Sequence, residues 1–518
     1  MAPEIAAGEP EPTAGEPEVG AVGFEIPATA LEIPAGIRSI ARILRGAGHE
    51  AYLVGGCVRD LVRGVAPLDW DVTTDARPDR LLTLLPGARY ENRFGTVVVP
   101  FPDGAHEVTT FRRDGTYSDH RRPDDVTFGE TLDEDLARRD FTVNAMAIPL
   151  DSDGAPGAGV DRFDGRADLA AGILRAVGDP RTRFREDALR MLRAIRFAAT
   201  LGFAVEPATR DAIASEAALA AHVSGERTFA ELVRLLGASR PSVGLRLAEE
   251  TGLLAVLAPD LADQRGIPQA KTAGEDLWDH TCRTVDAASQ AMADGLPLAR
   301  VAALVHDIGK PATFVDGHFV GHDVVGEAMA AEFLERLRAP RAFTARVGGL
   351  VRHHMFQYSA EWSDAAVRRF IRRVGPVDLD LLLDLRSADN VGSGLAADVD
   401  GLEELRARCR AQVAAHVALS RAGLAVDGDD LLRGLGMLPG PQVGRLLDEL
   451  LERVLVDPML NERPRLLAIA REIHAGWTGD GTGETGAAGE SDAPGASGAL
   501  AEPGAPAEPG APDAEDRP

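Results

Sequence analysis

Residues 52–71 run YLVGGCVRDLVRGVAPLDWD. The stretch closes on two aspartates, Asp69 and Asp71, with only Trp70 between them. In a strand, side chains two apart lie on one face, so the spacing predicts two carboxylates pointing the same way and Trp70 turned into the packing. Carboxylates held side by side repel, and a divalent cation between them relieves the repulsion. A lone Asp-X-Asp is commonly no more than a solvated strand edge or turn. Here Gly55 and Gly56 end the preceding apolar run, where backbone without Cβ atoms can approach a ligand closely. Their amides, together with Arg59, could hold a polyphosphate. Glu107, in HEVTTF, lies on a neighbouring predicted strand and offers a third carboxylate.

These groups need a scaffold. AYLVGG and the segments 69–73, 96–100 and 106–111 read as strands, the last two rich in β-branched residues. PAGIRSIARILRGAGHE carries apolar residues at helical spacing and stops at Gly46 and Gly48. From about residue 166 to 265 the pattern is almost wholly helical. A Pro/Gly break near 259–268 separates this block from a second one reaching about residue 475. The expected class is α+β, with a small mixed-sheet head followed by an elongated all-α body. The expected divisions are an acidic tail (1–25), the head (26–150), a first helical region (151–265), a second (266–400), a C-terminal helical region (401–477) and a second acidic tail (478–518).

Charge and composition narrow the reading. The chain has 518 residues, 45% of them hydrophobic, and a formal charge of −26. Without the six acids of residues 1–25 and the nine acids and one arginine of residues 478–518, the remainder still carries −12. A nucleic-acid grip must then rest on a local basic patch. EDALRMLRAIRF supplies one candidate. Asp187, Arg190, Arg193 and Arg196 recur every three residues, which places them on one broad face of a helix. An exposed face with an Asp–Arg pair is the plainer account. No stretch is long and apolar enough to cross a membrane, and the N-terminus lacks a signal-peptide pattern. Cys57, Cys282 and Cys409 form no framework and read as thiols of a reducing compartment, so the expected location is the cytoplasm.

The motif LVGGCVRDLVRG…DWD resembles the first motif of the class II tRNA nucleotidyltransferases and bacterial poly(A) polymerases, members of the DNA polymerase β-like nucleotidyltransferase superfamily. Residues 110–147 resemble that family's flexible loop and its RRDFTxNA motif, residues 160–203 its nucleotide-selecting helix, and residues 224–236 the motif that follows. The resemblance implies that Asp69 and Asp71 hold Mg2+ with Glu107 as the third carboxylate. It implies that Gly55, Gly56, Arg59 and Arg139 contact the incoming nucleotide. It further implies that Asp187 and Arg190 read the base edges of CTP and ATP, with Arg193 and Arg196 on base or phosphate, and that Asn144 supports the site. The expected reaction is untemplated addition of CCA to tRNA 3′ ends. Poly(A) polymerase, CC-only and A-only enzymes share nearly all these motifs, although the loop at 112–128 looks complete and favours use of CTP. A non-catalytic RNA-binding module would not need the three carboxylates.

Residues 276–313 carry a second constellation. The order His280, His306-Asp307, Asp389 resembles the HD metal-dependent phosphohydrolases. Imidazole and carboxylate together suit a divalent metal whose identity stays open. His322, and His353 or His354 of the adjacent pair, could add ligands for a second ion; His353 is taken as the expected one. The resemblance implies a phosphohydrolase side activity, and an enzyme whose main work is HD phosphohydrolysis is the alternative of a different class. Nothing in the sequence indicates an obligate protein partner.

Overall fold

The computed structural model describes residues 22–24, 32–91, 95–114, 126–129, 131–269, 275–288, 296–399 and 401–479. The chain divides into two compact units, one up to Leu419 and one from Ser420 onward. Both acidic tails lie outside the described residues apart from 22–24 and 478–479, and so do residues 115–125 of the loop expected at 112–128.

The head contains β1 (Val22–Phe24), α1 (Ala35–Gly46), β2 (Tyr52–Val54), α2 (Gly56–Val62), β3 (Asp71–Thr74), α3 (Pro78–Leu84), β4 (Arg89–Tyr90), β5 (Thr96–Phe101), β6 (Gly104–Thr110), β7 (Arg112–Asp114), β8 (Val126–Phe128), α4 (Leu132–Ala137), β9 (Met146–Pro149) and β10 (Gly159–Asp161). Eight strands form one mixed sheet in the order β1-β10-β9-β2-β3-β6-β5-β4, and β7 pairs with β8 separately. Within the large sheet β3 and β6 run parallel, whereas the other neighbours are antiparallel. Ile37, Ile40, Ala41 and Leu44 of α1 recur at helical spacing and are all fully buried in the core shared with Leu53, Val72 and Val108 of the sheet. The sheet departs from the sequence expectation at β4, a two-residue edge strand that the pattern does not show, and in three further places. Residues 22–24, read as tail, add an edge strand against β10. Strands β9 and β10 went unforeseen because they are four and three residues long and carry little periodicity. Strand β3 starts at Asp71, so Asp69 sits in the bend before it rather than inside the strand.

The first helical region holds α5 (Gly165–Ala171), α6 (Pro180–Glu186), α7 (Leu189–Leu201), α8 (Pro207–Glu216), α9 (Gly225–Leu236), α10 (Ser242–Glu250), α11 (Leu253–Leu257) and α12 (Pro259–Ala262). The second holds α13 (Leu277–Ala287), α14 (Leu298–Val305), α15 (Lys310–Thr313), α16 (His322–Arg336), α17 (Arg341–His353), α18 (Asp364–Val374), α19 (Leu379–Gly392) and α20 (Leu402–Ala414). The two regions share one core. Leu192 of α7, Leu235 of α9 and Leu304 of α14 line the same apolar cavity of about 80 Å3, closed by Phe333 of α16. Arg300 of α14, 1% exposed, donates to the carbonyls of Leu236 and Ala238 and so caps the C-terminus of α9. The unit from Ser420 consists of α21 (Gly428–Leu435), α22 (Pro441–Val456) and α23 (Arg463–Gly479), with Leu431, Leu446, Leu450 and Leu466 buried. No described helix is long and apolar enough to cross a membrane.

Candidate active site

The parallel pairing of β3 with β6 sets Asp71 directly opposite Glu107. On its other side Asp71 pairs with Val54, the last residue of β2, after which the chain turns at Gly55. One row across three strands thus ends in the glycine turn and two carboxylates. Gly55 has a positive φ of 77°. A Cβ there would sit 3.0 Å from Nη1 of Arg139 and 3.5 Å from Oδ2 of Asp71, so only glycine fits. Asp69, on the bend, is exposed, and Trp70 packs against the core as expected. Burial raises the Asp71 carboxyl above its usual range; Arg139 opposes this and Asp69 adds to it. Glu107 is raised by partial desolvation, then by Glu91, Asp71 and Asp69. Carboxylates that raise one another's proton affinity suit a divalent cation. Among the described residues, however, the tight clusters of ligand atoms all belong to the HD region, so the head carboxylates stand further apart than a closed metal cage.

A cleft of about 340 Å3 opens beside this row. Asp71, Glu107, Arg139 and Asp140 wall it on the head side; Asp187, Arg190, Arg193 and Arg227 wall it on the helical side. The expectation of a single helix through Asp187 needs correction. Helix α6 ends at Glu186, with Asp187 extended as its C-terminal neighbour at φ −141°, and α7 begins at Leu189. The Asp187 carboxylate accepts from the Leu189 amide at 3.1 Å, a local bond that breaks the helix and starts the next. Asp187 therefore leads α7 rather than riding on it, and it still lines the cleft beside Arg190.

Nor do the arginines form an exposed face. Arg190 donates to Glu186 at 2.5 Å and to the Arg138 carbonyl at 2.7 Å. Asp187 receives Arg227 at 2.7 Å instead of pairing with Arg190. Arg193 pairs with Asp140 at 2.6 Å and Arg196 with Glu231 at 2.7 Å. Arg59 is gripped by Asp60 at 2.9 Å, and donates at 3.0 Å to Asn144, whose amide donates at 3.1 Å to Asp140. Arg59 and Arg196 stand behind the cleft wall. Asp140, Arg227, Glu231 and Asp135, which pairs with Arg138 and Arg139 at 2.5 and 3.1 Å, were missed in the sequence. A signal existed: five arginines within residues 183–196 require acids, and RRDFT and SGERTFAEL hold three of these four residues. Asp140 is buried; that alone would raise its carboxyl, but Arg193 and Asn144 outweigh it and hold it at about 2.

The second constellation assembles at the junction of α13, α14, α16, α17 and α19. His280, His306 and Asp307 form one cluster, and Asp307, His322 and His354 a second, all buried. Asp307 joins them. Its Oδ2 lies 3.5 Å from Nε2 of His280 and 3.1 Å from that of His306, and its Oδ1 lies 3.5 and 3.6 Å from those of His322 and His354. Asp389 completes the first cluster at 3.2 Å from His280. The Nδ1 atoms of His306, His322 and His354 face the carbonyls of Ala303, Phe319 and Val351 at 2.8, 2.7 and 2.7 Å. A carbonyl only accepts, so each Nδ1 carries the proton and each Nε2 presents a lone pair inward. The lone pairs of His322 and His354 facing each other 3.4 Å apart, and an Asp307 Oδ1 with no hydrogen-bond donor among the described residues, are what a divalent ion would satisfy. Burial would lower His280, but Asp307 and Asp389 outweigh it and push it up to about 9, a proton standing where a cation would serve.

The choice of His353 as a ligand is corrected: the ring in the cluster is His354. Helix α17 ends at His353, and consecutive residues there diverge by about 100°. Only one ring can face inward, and the bond to the Val351 carbonyl selects His354. His353 turns to a separate surface pocket shared with Arg352 and Arg373.

Three family models match the chain: the poly A polymerase head domain over residues 51–175, a probable RNA and SrmB-binding site of polymerase A over 202–265, and the HD domain over 277–394. The CCA-adding enzyme of Geobacillus kaustophilus is 34% identical over 438 residues, spanning 83% of this chain and 94% of that one. The chain belongs to the CCA-adding enzyme family. The CCA-adding enzyme of Lacticaseibacillus paracasei is likewise 34% identical, over 84% of this chain and 95% of its own length. The crystal structure of the Bacillus stearothermophilus CCA-adding enzyme in complex with CTP matches with a TM-score of 0.64 at 30% identity, covering 86% of this chain and 98% of that one. Family membership agrees with the mixed-sheet head, the helical body and the HD region described above, and both domain types imply use of divalent metal.

Proposed function

We propose that this chain adds CCA to tRNA 3′ ends from CTP and ATP without a template, and that it does so in the cytoplasm, where its three free, buried thiols stay reduced. The observation that carries the reading is the shared cleft: the carboxylates of β3 and β6, Asp187 and Arg190 line one space of about 340 Å3. Asp69, Asp71 and Glu107 would hold Mg2+, which supplies Lewis-acid activation of the 3′-hydroxyl and neutralises the triphosphate. Arg139 and Arg193, which line the cleft, orient the nucleotide's phosphates, and Arg59 supports them from behind through Asn144 and Asp140. Asp187, steadied by Arg227, accepts from the exocyclic amino group that cytosine and adenine share, and Arg190 donates to the ring nitrogen beside it. Preorganised forks of this kind read a base without a template strand. The relatives being CCA-adding enzymes favours this reading over poly(A) synthesis or partial addition. The test is sequencing of 3′ ends after incubating tRNA that lacks its CCA with CTP, ATP or both. Long A tails, or addition that stops after CC with both nucleotides present, would refute it.

A second reading concerns the HD region. The two clusters joined by Asp307 favour a metal-dependent phosphohydrolase centre alongside the transferase. Hydrolysis of nucleotide monoesters to phosphate and of cyclic esters to monoesters by the metal-loaded chain, with loss in a His306→Ala variant, is the measurement.

A further inference from the structure

Three of the arginines assigned above to nucleotide and phosphate converge on one aromatic ring. The guanidinium carbons of Arg59, Arg193 and Arg196 lie 5.4, 5.3 and 4.0 Å from the ring centroid of Phe197. Phe197 is 5% exposed, and Phe141 meets it edge-on at 5.8 Å. The arginines come from two places: Arg59 from α2 in the head, Arg193 and Arg196 from α7. Three like charges around one point repel, yet a hydrogen-bonded chain closes on them. It runs from Arg59 through Asn144 and Asp140 to Arg193, with links of 3.0, 3.1 and 2.7 Å. The acids hold Arg59 through two bonds to Asp60 and Arg193 through Nε and Nη2 to Asp140, but none of them separates the three cations from one another. A π face attracts the plane of a guanidinium and adds attraction to each cation. Arg193 is the most exposed of the three and reaches the cleft.

We infer that Phe197 is a positioning residue for nucleotidyl transfer: its ring gathers Arg59, Arg193 and Arg196 into one preformed cationic array, whose member at the cleft, Arg193, is presented to the triphosphate of the incoming nucleotide. This rests on the transferase reading and deepens it. Phe197 touches no reacting atom; it acts through the arginines. A hydrocarbon of the same shape would fill the space equally well, so the distinguishing property is the electron density of the ring. Because Arg193 would meet the triphosphate in ground and transition states alike, misplacing it falls on nucleotide binding more than on turnover.

The experiment replaces Phe197 in the full chain by mono-, di- and trifluorinated phenylalanine, which keep the shape and progressively drain the π face. Initial rates of CTP addition to tRNA lacking its CCA give KM and kcat, with thermal melting to check that packing is kept. The expected result is a KM for CTP that climbs with each fluorine, to about threefold to tenfold at three, while kcat and the KM for tRNA change less than twofold. A KM for CTP that stays flat across the series overturns the inference. Arg193→Lys, measured in parallel, shows which idea has failed. If it raises the KM while fluorination does nothing, Phe197 is packing alone. If it too leaves the KM unchanged, the assignment of the arginines to the nucleotide falls as well.

Discussion

Asp140→Asn removes one charge from the centre of the arginine network while keeping shape and most hydrogen bonds. The side-chain oxygen can still accept from Asn144 and from the Phe141 amide, as the carboxylate does at 3.1 and 2.8 Å. What is lost is the anion facing Arg193. The structure gives the size of the effect. The carboxyl is held at about 2 against an ordinary 3.8, and each tenfold change in proton affinity corresponds to about 1.4 kcal/mol. The charge therefore contributes about 2–3 kcal/mol to the folded state at neutral pH, and solvent screens little of it at a group only 8% exposed. Because the folded-state value is depressed, the contribution is complete above the unfolded value near 4 and fades as pH falls from about 4 to 2. Urea unfolding of wild type and variant should thus differ by about 2–3 kcal/mol at pH near 7, by the same amount near pH 5, and by roughly half near pH 3. CTP addition should fall as well, because Arg193, which reaches the cleft, loses its anchor. A stability difference under about 0.5 kcal/mol at neutral pH, or a gap that fails to narrow in acid, would refute the ion-pair account.

Other outcomes follow from the same geometry. Asp71→Ala should lower CTP addition by at least about a thousandfold with circular dichroism unchanged, since a metal-holding carboxylate supplies several kcal/mol of transition-state stabilisation; residual activity within about tenfold would sink that role. Asp187→Asn should erode discrimination between CTP and UTP by about tenfold to a hundredfold in kcat/KM, because a side-chain amide can donate to the uracil carbonyl; an equal loss for all four nucleotides would make Asp187 a helix-starting residue only. His354→Ala should lose at least half of the divalent metal measured by plasma mass spectrometry after dialysis, whereas His353→Ala should retain it. The reverse pattern would restore His353 as the ligand.

Much of the chemistry was legible because it depends on close spacing. Gly55, Gly56, Asp69, Asp71 and Arg59 lie within seventeen residues, and the HD order needs only His280, His306-Asp307 and Asp389. Partners brought in by the fold were not. Nothing local ties Asp140 to Arg193, Glu231 to Arg196 or Arg227 to Asp187; those pairs depend on how α4, α7 and α9 pack. The break at Asp187 escaped notice because periodicity reports composition over a window, whereas one carboxylate capping one amide ends a helix. The His353–His354 ambiguity was of the same kind: adjacent residues of one type differ only in where the helix end points them.

The network also changes how an acidic chain can handle a polyanion. Residues 181–196 look like a basic stripe in the sequence, yet Arg183, Arg185, Arg190, Arg193 and Arg196 each meet a glutamate or aspartate. The stripe therefore contributes little long-range attraction, in keeping with the chain's negative charge. What it supplies is fixed geometry. Guanidinium groups already oriented by acids, and by the Phe197 ring, do not have to be ordered when a nucleotide arrives, so less of the binding free energy is spent on ordering them. In such a site the buried acids belong to recognition as much as the arginines do, because an arginine freed of its acid gains charge but loses direction.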